Sequence, residues 1–499
     1  MRLRLLIVLL GLAGATNVAA QAPAELPFYS PDTVKVQQLA VAHRASVRQH
    51  FTATTPKAAS GEYRDHYRKI AQEAATEVYN SVRYAALLDP VLEPYVQRIF
   101  GQLKAANPQL PAVQLVLSRN PEPNAHAMGN GTVMLNIGLL ARLENESQLA
   151  FILCHELAHV QARHMDSGLR ESLTTLHSKE LKREVRRIVA QEYNIGSKLK
   201  TLALGMSLSS NYHQRKYEKQ ADSLGYVLLR RTAFDATQAY RALQLLDKMD
   251  EPYSAERLDL ARYFGCAAAP YAYETAPAKP RSIFTVGAKA TTVLETSDTL
   301  KSHPDCAKRM RFVRELAQGQ VADGPPAAPT PEWSRMVALS RLEVVQSWFD
   351  YDCYDHALFE ALQLLPTQPQ STYLRSVVTL SLYELRRHLV DHSFMEVVGN
   401  VSKHNPENFN QLLTALYAWK AEDYKGLTAC FAQQPAAAAP PAATPDEYAL
   451  AARYAAATLV DEPATAALRQ QYLAQYRQGR FAKLLFAKDQ ASTAKKYTP

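Results

Sequence analysis

Residues 151–160 read Phe151-Ile152-Leu153-Cys154-His155-Glu156-Leu157-Ala158-His159-Val160, an HExxH set inside an apolar run with helical spacing. At about 100° per residue, positions four apart return to within about 40° of one another. His155 and His159 therefore share one face and can offer two imidazole nitrogens to a single Zn2+ ion, one per chain. Glu156 falls on the adjoining flank, where a carboxylate can take a proton from water at the ion without being a ligand. A catalytic zinc has three protein ligands and one open position, so a third donor must come from elsewhere. The candidate is Glu218, in Arg215-Lys216-Tyr217-Glu218-Lys219-Gln220-Ala221-Asp222, 59 residues beyond His159. Asp222, four positions on, shares its face and can accept the outer N–H of a ligating histidine, fixing the tautomer. His164 is left out as a ligand, because five positions from His159 is about 140° around a continuous helix. His126 and His213 lie near these motifs in sequence, and solvent-exposed histidine is the default for both.

Working outward, residues 32–50 and 61–106 carry helical periodicity, broken at 52–61 and at Asp89-Pro90. Residues 113–118 alternate as a strand. A turn-rich stretch, 120–124, and Gly129-Asn130-Gly131 precede the apolar run 132–136, and together these read as a small β-sheet. From Ile137 to about Met249 the pattern is helical, with a polar interruption near 191–197. Residues 251–300 lose periodicity and read as an irregular surface excursion. Helical order returns at 303–318.

Ala322 to Pro331 is an Ala/Pro linker that marks the main domain boundary. The expected division is a signal peptide at 1–20, a leader at 21–60, a main domain at 61–320, a linker at 321–332, a helical domain at 333–433, a second linker at 434–446 and a helical tail at 447–499. Within the helical domain, residues 354–366 resemble the second helix of a tetratricopeptide repeat, and a similar helix-then-Pro rhythm is expected at 397–406. An ordinary helical bundle is the competing reading.

The 499 residues are 47% hydrophobic and 21% charged, with a mean hydropathy of −0.25, which excludes wholesale disorder and a polytopic membrane protein. The net charge of +8 is scattered and forms no block of like charges, so nucleic acid is not an expected partner. Arg2 and Arg4 before the apolar run 5–15, then Val18-Ala19-Ala20, read as a signal peptide cleaved before Gln21, against the competing reading of an uncleaved anchor. Once it is removed, no transmembrane span is expected. Export permits disulfides, and Cys266 with Cys306 and Cys353 with Cys430 are the candidate pairs. Cys154 reads as a small buried hydrophobe.

Several motifs in order, over roughly residues 85–318, resemble the zinc metallopeptidases that include the CAAX prenyl proteases, the HtpX-like heat-shock proteases and a soluble periplasmic branch with tetratricopeptide-like C-terminal domains. Asn124 to Gly131 looks like that family's edge-strand motif, with His126 and Met128 in place of an aromatic residue and Leu. Asn136 to Leu140 and Glu144-Asn145-Glu146 lead into the HExxH helix as in the family. Arg215, Glu218, Ala221 and Asp222 fit the third-ligand motif, while Gln214 departs from a usual Ser. Ser302-His303-Pro304 with Arg309 looks like the closing motif. The resemblance implies zinc on His155, His159 and Glu218, Glu156 as general base, Asn124 on the substrate backbone, and His303 stabilising the oxyanion.

The expectation is therefore an α+β protein: a mainly helical, zincin-like (gluzincin) metallopeptidase domain with a small β-sheet, then an all-α, tetratricopeptide-like domain. It would be an exported endopeptidase, periplasmic, peripheral at the outer membrane, or secreted. It would cut unfolded or misassembled envelope proteins and meet envelope partners through the helical domain. The alternative is a periplasmic chaperone or adaptor whose peptidase site is silent or plugged.

Overall fold

The structure, a computed structural model, describes residues 26–28, 33–57, 59–189, 215–249, 251–272, 306–324, 328–434 and 446–486. The expected signal peptide, His213 and His303 lie outside the described residues. Among the described residues the chain is mainly helical, with one three-stranded sheet. Helices α1 (Val34–Thr54) and α2 (Gly61–Ala85) pair with each other, and α3 (Leu92–Ala106) follows. The break between α2 and α3 falls where Asp89-Pro90 predicts it. Asp89 Oδ1 accepts the N–H groups of Val91 and Leu92, restarting the chain as helix.

Strands β1 (Gln114–Ser118), β2 (Ala125–Ala127) and β3 (Thr132–Asn136) form a sheet in the order β1-β3-β2. β1 runs parallel to β3, with Gln114 opposite Thr132. β2 runs antiparallel to β3, with His126 opposite Met134, and among the described residues takes the outer position. Gly131 turns the chain into β3 at φ +86°, and a Cβ there would stand 2.3 Å from the Ala112 carbonyl oxygen, so only glycine fits.

The short α4 (Ile137–Leu140) leads to α5 (Glu146–Gln161), α6 (His164–Leu176) and α7 (Lys179–Val189). A helix α8 covers 215–229, followed by α9 (Gln238–Asp247), α10 (Leu260–Phe264) and α11 (Cys306–Leu316). Helices α3, α4, α5 and α9 close over the sheet in one apolar core that includes Phe100, Leu135, Leu153 and Leu243.

The C-terminal part is helical: α12 (Pro331–Asp350), α13 (Tyr354–Leu364), α14 (Thr372–Val390), α15 (Glu407–Ala418), α16 (Asp423–Gln433), α17 (Glu447–Leu459) and α18 (Thr465–Gln475). Pro331, read as linker, opens α12 at its first turn, where a missing N–H costs nothing. α12 serves both halves: Trp333 and Met336 enter the core around the sheet, while Val345 and Phe349 enter the C-terminal core.

Two expectations fail here. Residues 397–406 form no helix before Pro406. Gly399 and Asn400 break the periodicity, and side chains hold the loop: Asp355 accepts the Gly399 N–H at 2.8 Å, and Asn410 bonds both the N–H and the carbonyl of Ser402. The cysteine pairing also differs. Cys266 bonds Cys430, bridging the segment after α10 to α16, while Cys306 and Cys353 are unbridged. Spacing along the chain could not reveal this, because the partners meet only through the packing of α10 on α16. Cys154 is buried and reduced, as expected.

Candidate metal centre

α5 is apolar nearly all round and is buried from Gln148 to Ala158, as a helix at the centre of a core must be. Its start is fixed by the Asn145 side chain, which accepts the Gln148 N–H at 3.0 Å, while Gln148 Oε1 accepts the Glu144 N–H at 2.8 Å. Arg241 of α9 grips the Glu144 carboxylate with Nε at 3.0 Å and Nη2 at 2.8 Å. The helix that carries both histidines thus has little freedom to slide.

α8 crosses α5 at Gly225, where an added Cβ would lie 2.9 Å from both N and Cα of His155. That close approach brings Glu218, two turns earlier on α8, over the two histidines. His155 Nε2 and His159 Nε2 stand 3.1 Å apart. Glu218 Oε2 is 3.4 Å from the first, and Oε1 is 3.4 Å from the second. Two imidazoles and a carboxylate aimed at one point make a donor set that can hold a metal ion, and its chemistry suits zinc. Glu156 is buried at 2% exposure next to His155.

The outer nitrogens are also engaged. His155 Nδ1 lies 3.0 Å from Asp222 Oδ1, the contact expected from the spacing of Glu218 and Asp222. Arg309 of α11 closes on the far side of Asp222, with Nε 2.8 Å from Oδ2 and Nη2 2.7 Å from Oδ1, and its Nη1 is 3.1 Å from Glu218 Oε2. Burial would by itself raise the Asp222 pKa, but the Arg309 guanidinium outweighs it and holds the carboxyl down at about 2. Burial likewise disfavours a charged His155, yet hydrogen bonds to the Asp222 and Glu218 carboxylates hold its pKa up at about 9. These side chains form a dense charge cluster beneath the histidines.

His164 has a place that sequence periodicity missed. α5 stops at Gln161, Arg163 takes a left-handed conformation at φ 54°, and α6 begins at His164, so no continuous helix joins the two histidines. The turn sets His164 Nδ1 3.0 Å from His159 Nδ1, and His164 Nε2 3.1 Å from Gln220 Oε1. Burial pushes its pKa down to about 4. Tyr217 stacks on its ring at 4.6 Å. Gln220 and Tyr217 belong to the motif quoted for Glu218, and their place within it was the only sequence signal for them. Arg309 was legible as a motif member but not as the partner of Asp222.

Beside the donors lies a cavity of about 230 Å³, bordered by Met128, His159, Arg163, Met165, Tyr217 and Glu218. Gly129, after β2, donates its N–H to the Met165 sulfur at 3.1 Å, which ties the end of the strand to the start of α6, and His50 meets Asp166 at 2.7 Å, which ties α1 to the same turn. Asn124 directly precedes β2 and accepts the Asn136 N–H on its carbonyl at 3.0 Å. His126 is exposed on β2, as its default reading had it.

A helix-borne histidine pair and a glutamate from a second helix thus stand together beside a small sheet, as a donor set able to hold a metal ion. Residues 90–317 match the model of peptidase family M48.

The chain is similar over 153 residues to a Vibrio cholerae protein assigned as a beta-barrel assembly-enhancing protease, at 33% identity, covering 30% of this chain and 31% of that one. It is 29% identical over 190 residues to the mitochondrial metalloendopeptidase OMA1 of Schizosaccharomyces pombe, covering 37% and 52%. The beta-barrel assembly-enhancing protease of Escherichia coli K12 is 29% identical over 153 residues, covering 30% and 31%. The matched stretches thus span about a third to about half of these relatives' lengths. Among the described residues, no helix is long and apolar enough to cross a membrane.

Proposed function

We propose that this protein is an exported, zinc-dependent endopeptidase that hydrolyses peptide bonds of unfolded or misassembled envelope proteins. The observation that carries the reading is the convergence of His155, His159 and Glu218 on one point, with Asp222 behind His155. When bound, zinc supplies Lewis acidity to the scissile carbonyl and lowers the pKa of the attacking water. Glu156 takes the proton from that water and delivers it to the leaving amine. Asp222 and Arg309 hold His155 in the tautomer that turns Nε2 toward the ion.

By the family resemblance, the substrate chain lies extended near residues 124–134, with Asn124 binding its backbone by strand addition. By the same resemblance, the role of His303 is to stabilise the carbonyl oxygen as charge develops there. Export and recruitment of envelope partners by the C-terminal helices follow from the sequence reading alone, which expects a signal peptide at 1–20, a peptidase domain at 61–320 and a tetratricopeptide-like domain from 333. The names of the bacterial relatives support an envelope role.

Metal analysis of the purified protein, together with casein digestion with and without chelator, tests the reading. One zinc per chain and chelator-sensitive cleavage are expected. Stoichiometric zinc with no cleavage of any unfolded substrate would favour a chaperone or adaptor instead. Comparing envelope proteomes of cells carrying wild type and Glu156→Gln would identify the substrates.

A further inference from the structure

We propose that His164 is a positioning residue for the metal centre: its Nδ1 accepts the Nδ1–H of His159 and fixes the tautomer that turns His159 Nε2 toward the ion. This rests on the zinc reading above. Two imidazole nitrogens 3.0 Å apart need one donor and one acceptor. His159 Nε2 faces His155 Nε2 and Glu218, the direction of the metal, and a ligating nitrogen carries no proton. The His159 proton therefore sits on Nδ1, His164 Nδ1 accepts it, and the His164 proton sits on Nε2, where Gln220 Oε1 receives it at 3.1 Å. Every proton in the chain has a defined place, ending on the helix that also supplies Glu218.

The backbone is bent to make this contact. Arg163 is held at φ 54° and ψ 42°, a left-handed conformation disfavoured for a non-glycine residue, and the turn carries His164 back to His159. Tyr217 stacked on the ring fixes its plane. The two ligating histidines thus have unlike supports. His155 leans on a carboxylate, whereas His159 leans on a ring that adds no negative charge to a site already holding Glu156, Glu218 and Asp222.

The test is zinc affinity of the full chain, measured in competition with a chromophoric chelator, for wild type, His164→Ala and His164→Asn. Asn carries an oxygen close to where the imidazole carries Nδ1. His164→Ala should bind zinc 10–100-fold more weakly, the usual effect of removing such a support. His164→Asn should recover most of the loss. Both metal-free variants should keep the circular dichroism spectrum and melting temperature of metal-free wild type. Unchanged affinity in His164→Ala, or equal losses in both variants, would overturn the assignment while leaving the zinc reading intact. A wild-type chain that binds no zinc would overturn both.

Discussion

Asp222 joins the metal centre to α11: its Oδ1 is 3.0 Å from His155 Nδ1, and both its oxygens are held by Arg309 at 2.7 and 2.8 Å. The arrangement is buried, with Asp222 at 0% and Arg309 at 5% exposure. Asp222→Asn keeps the shape but removes one of the two carboxylates that face Arg309, leaving only Glu218 beside it. Breaking a buried pair from one side costs roughly 3–5 kcal/mol, and losing the histidine's support weakens metal binding 10–100-fold. Denaturant melts of the metal-free protein and a zinc titration should show both effects together.

Glycine substitutions separate crossing from propensity. Gly225→Ala would drive a methyl group into the His155 backbone, with destabilisation of roughly 1–3 kcal/mol, and would lift Glu218 from the histidines and weaken zinc binding. Gly101, within α3, has nothing within 4 Å of a built Cβ, so Gly101→Ala should stabilise by up to about 1 kcal/mol and leave the metal affinity alone. Equal effects at the two positions would contradict the close crossing of α8 on α5.

A pH dependence follows from Glu360 of α13. Burial raises its pKa to about 7, against the opposing pull of Arg142 and Arg341, which both lie over the Tyr253 ring. Its folded-state pKa is above the unfolded one, so the folded state binds more protons between about pH 4.5 and 7. Its stabilising contribution is complete below that window and is lost as the pH rises through it. Glu360→Gln should therefore flatten this fall and stabilise the protein by on the order of 1–3 kcal/mol at about pH 8. Melting temperatures of the two proteins across the window give the comparison.

The Cys266–Cys430 bond closes a separation of 164 residues. Chain-entropy arguments assign such a loop about 5 kcal/mol, and native disulfides typically contribute 2–5 kcal/mol. Cys430→Ser should lower the melting temperature of the oxidised protein. Reductant should do the same to wild type and leave the variant unmoved.

Much of the centre was legible because it is written locally. The four-residue spacing of His155 and His159 and that of Glu218 and Asp222 each lie within one helix, where period alone sets the face. Residues brought together by turns and crossings were not legible. The argument that set His164 aside assumed a continuous helix, and the left-handed Arg163 breaks it. The cysteines were paired by position, whereas the packing of α10 on α16 decides them. The helices through residue 106 and the strands at 114–118 and 132–136 followed from periodicity and breakers, whereas β2 was marked only by the resemblance of its motif. The stretch 397–406 failed because apolar spacing outweighed Gly399 and Asn400 in the reading.

The bond between Cys266 and Cys430 also gives the polypeptide the topology of a ring with two tails. Each half then contributes part of one closed loop, which contains α11 with Arg309 and the whole of α12. A single cut anywhere between the two cysteines opens the ring but releases nothing, and the nicked molecule keeps its full mass until a reductant frees the fragments. Such damage would go unseen on a non-reducing gel.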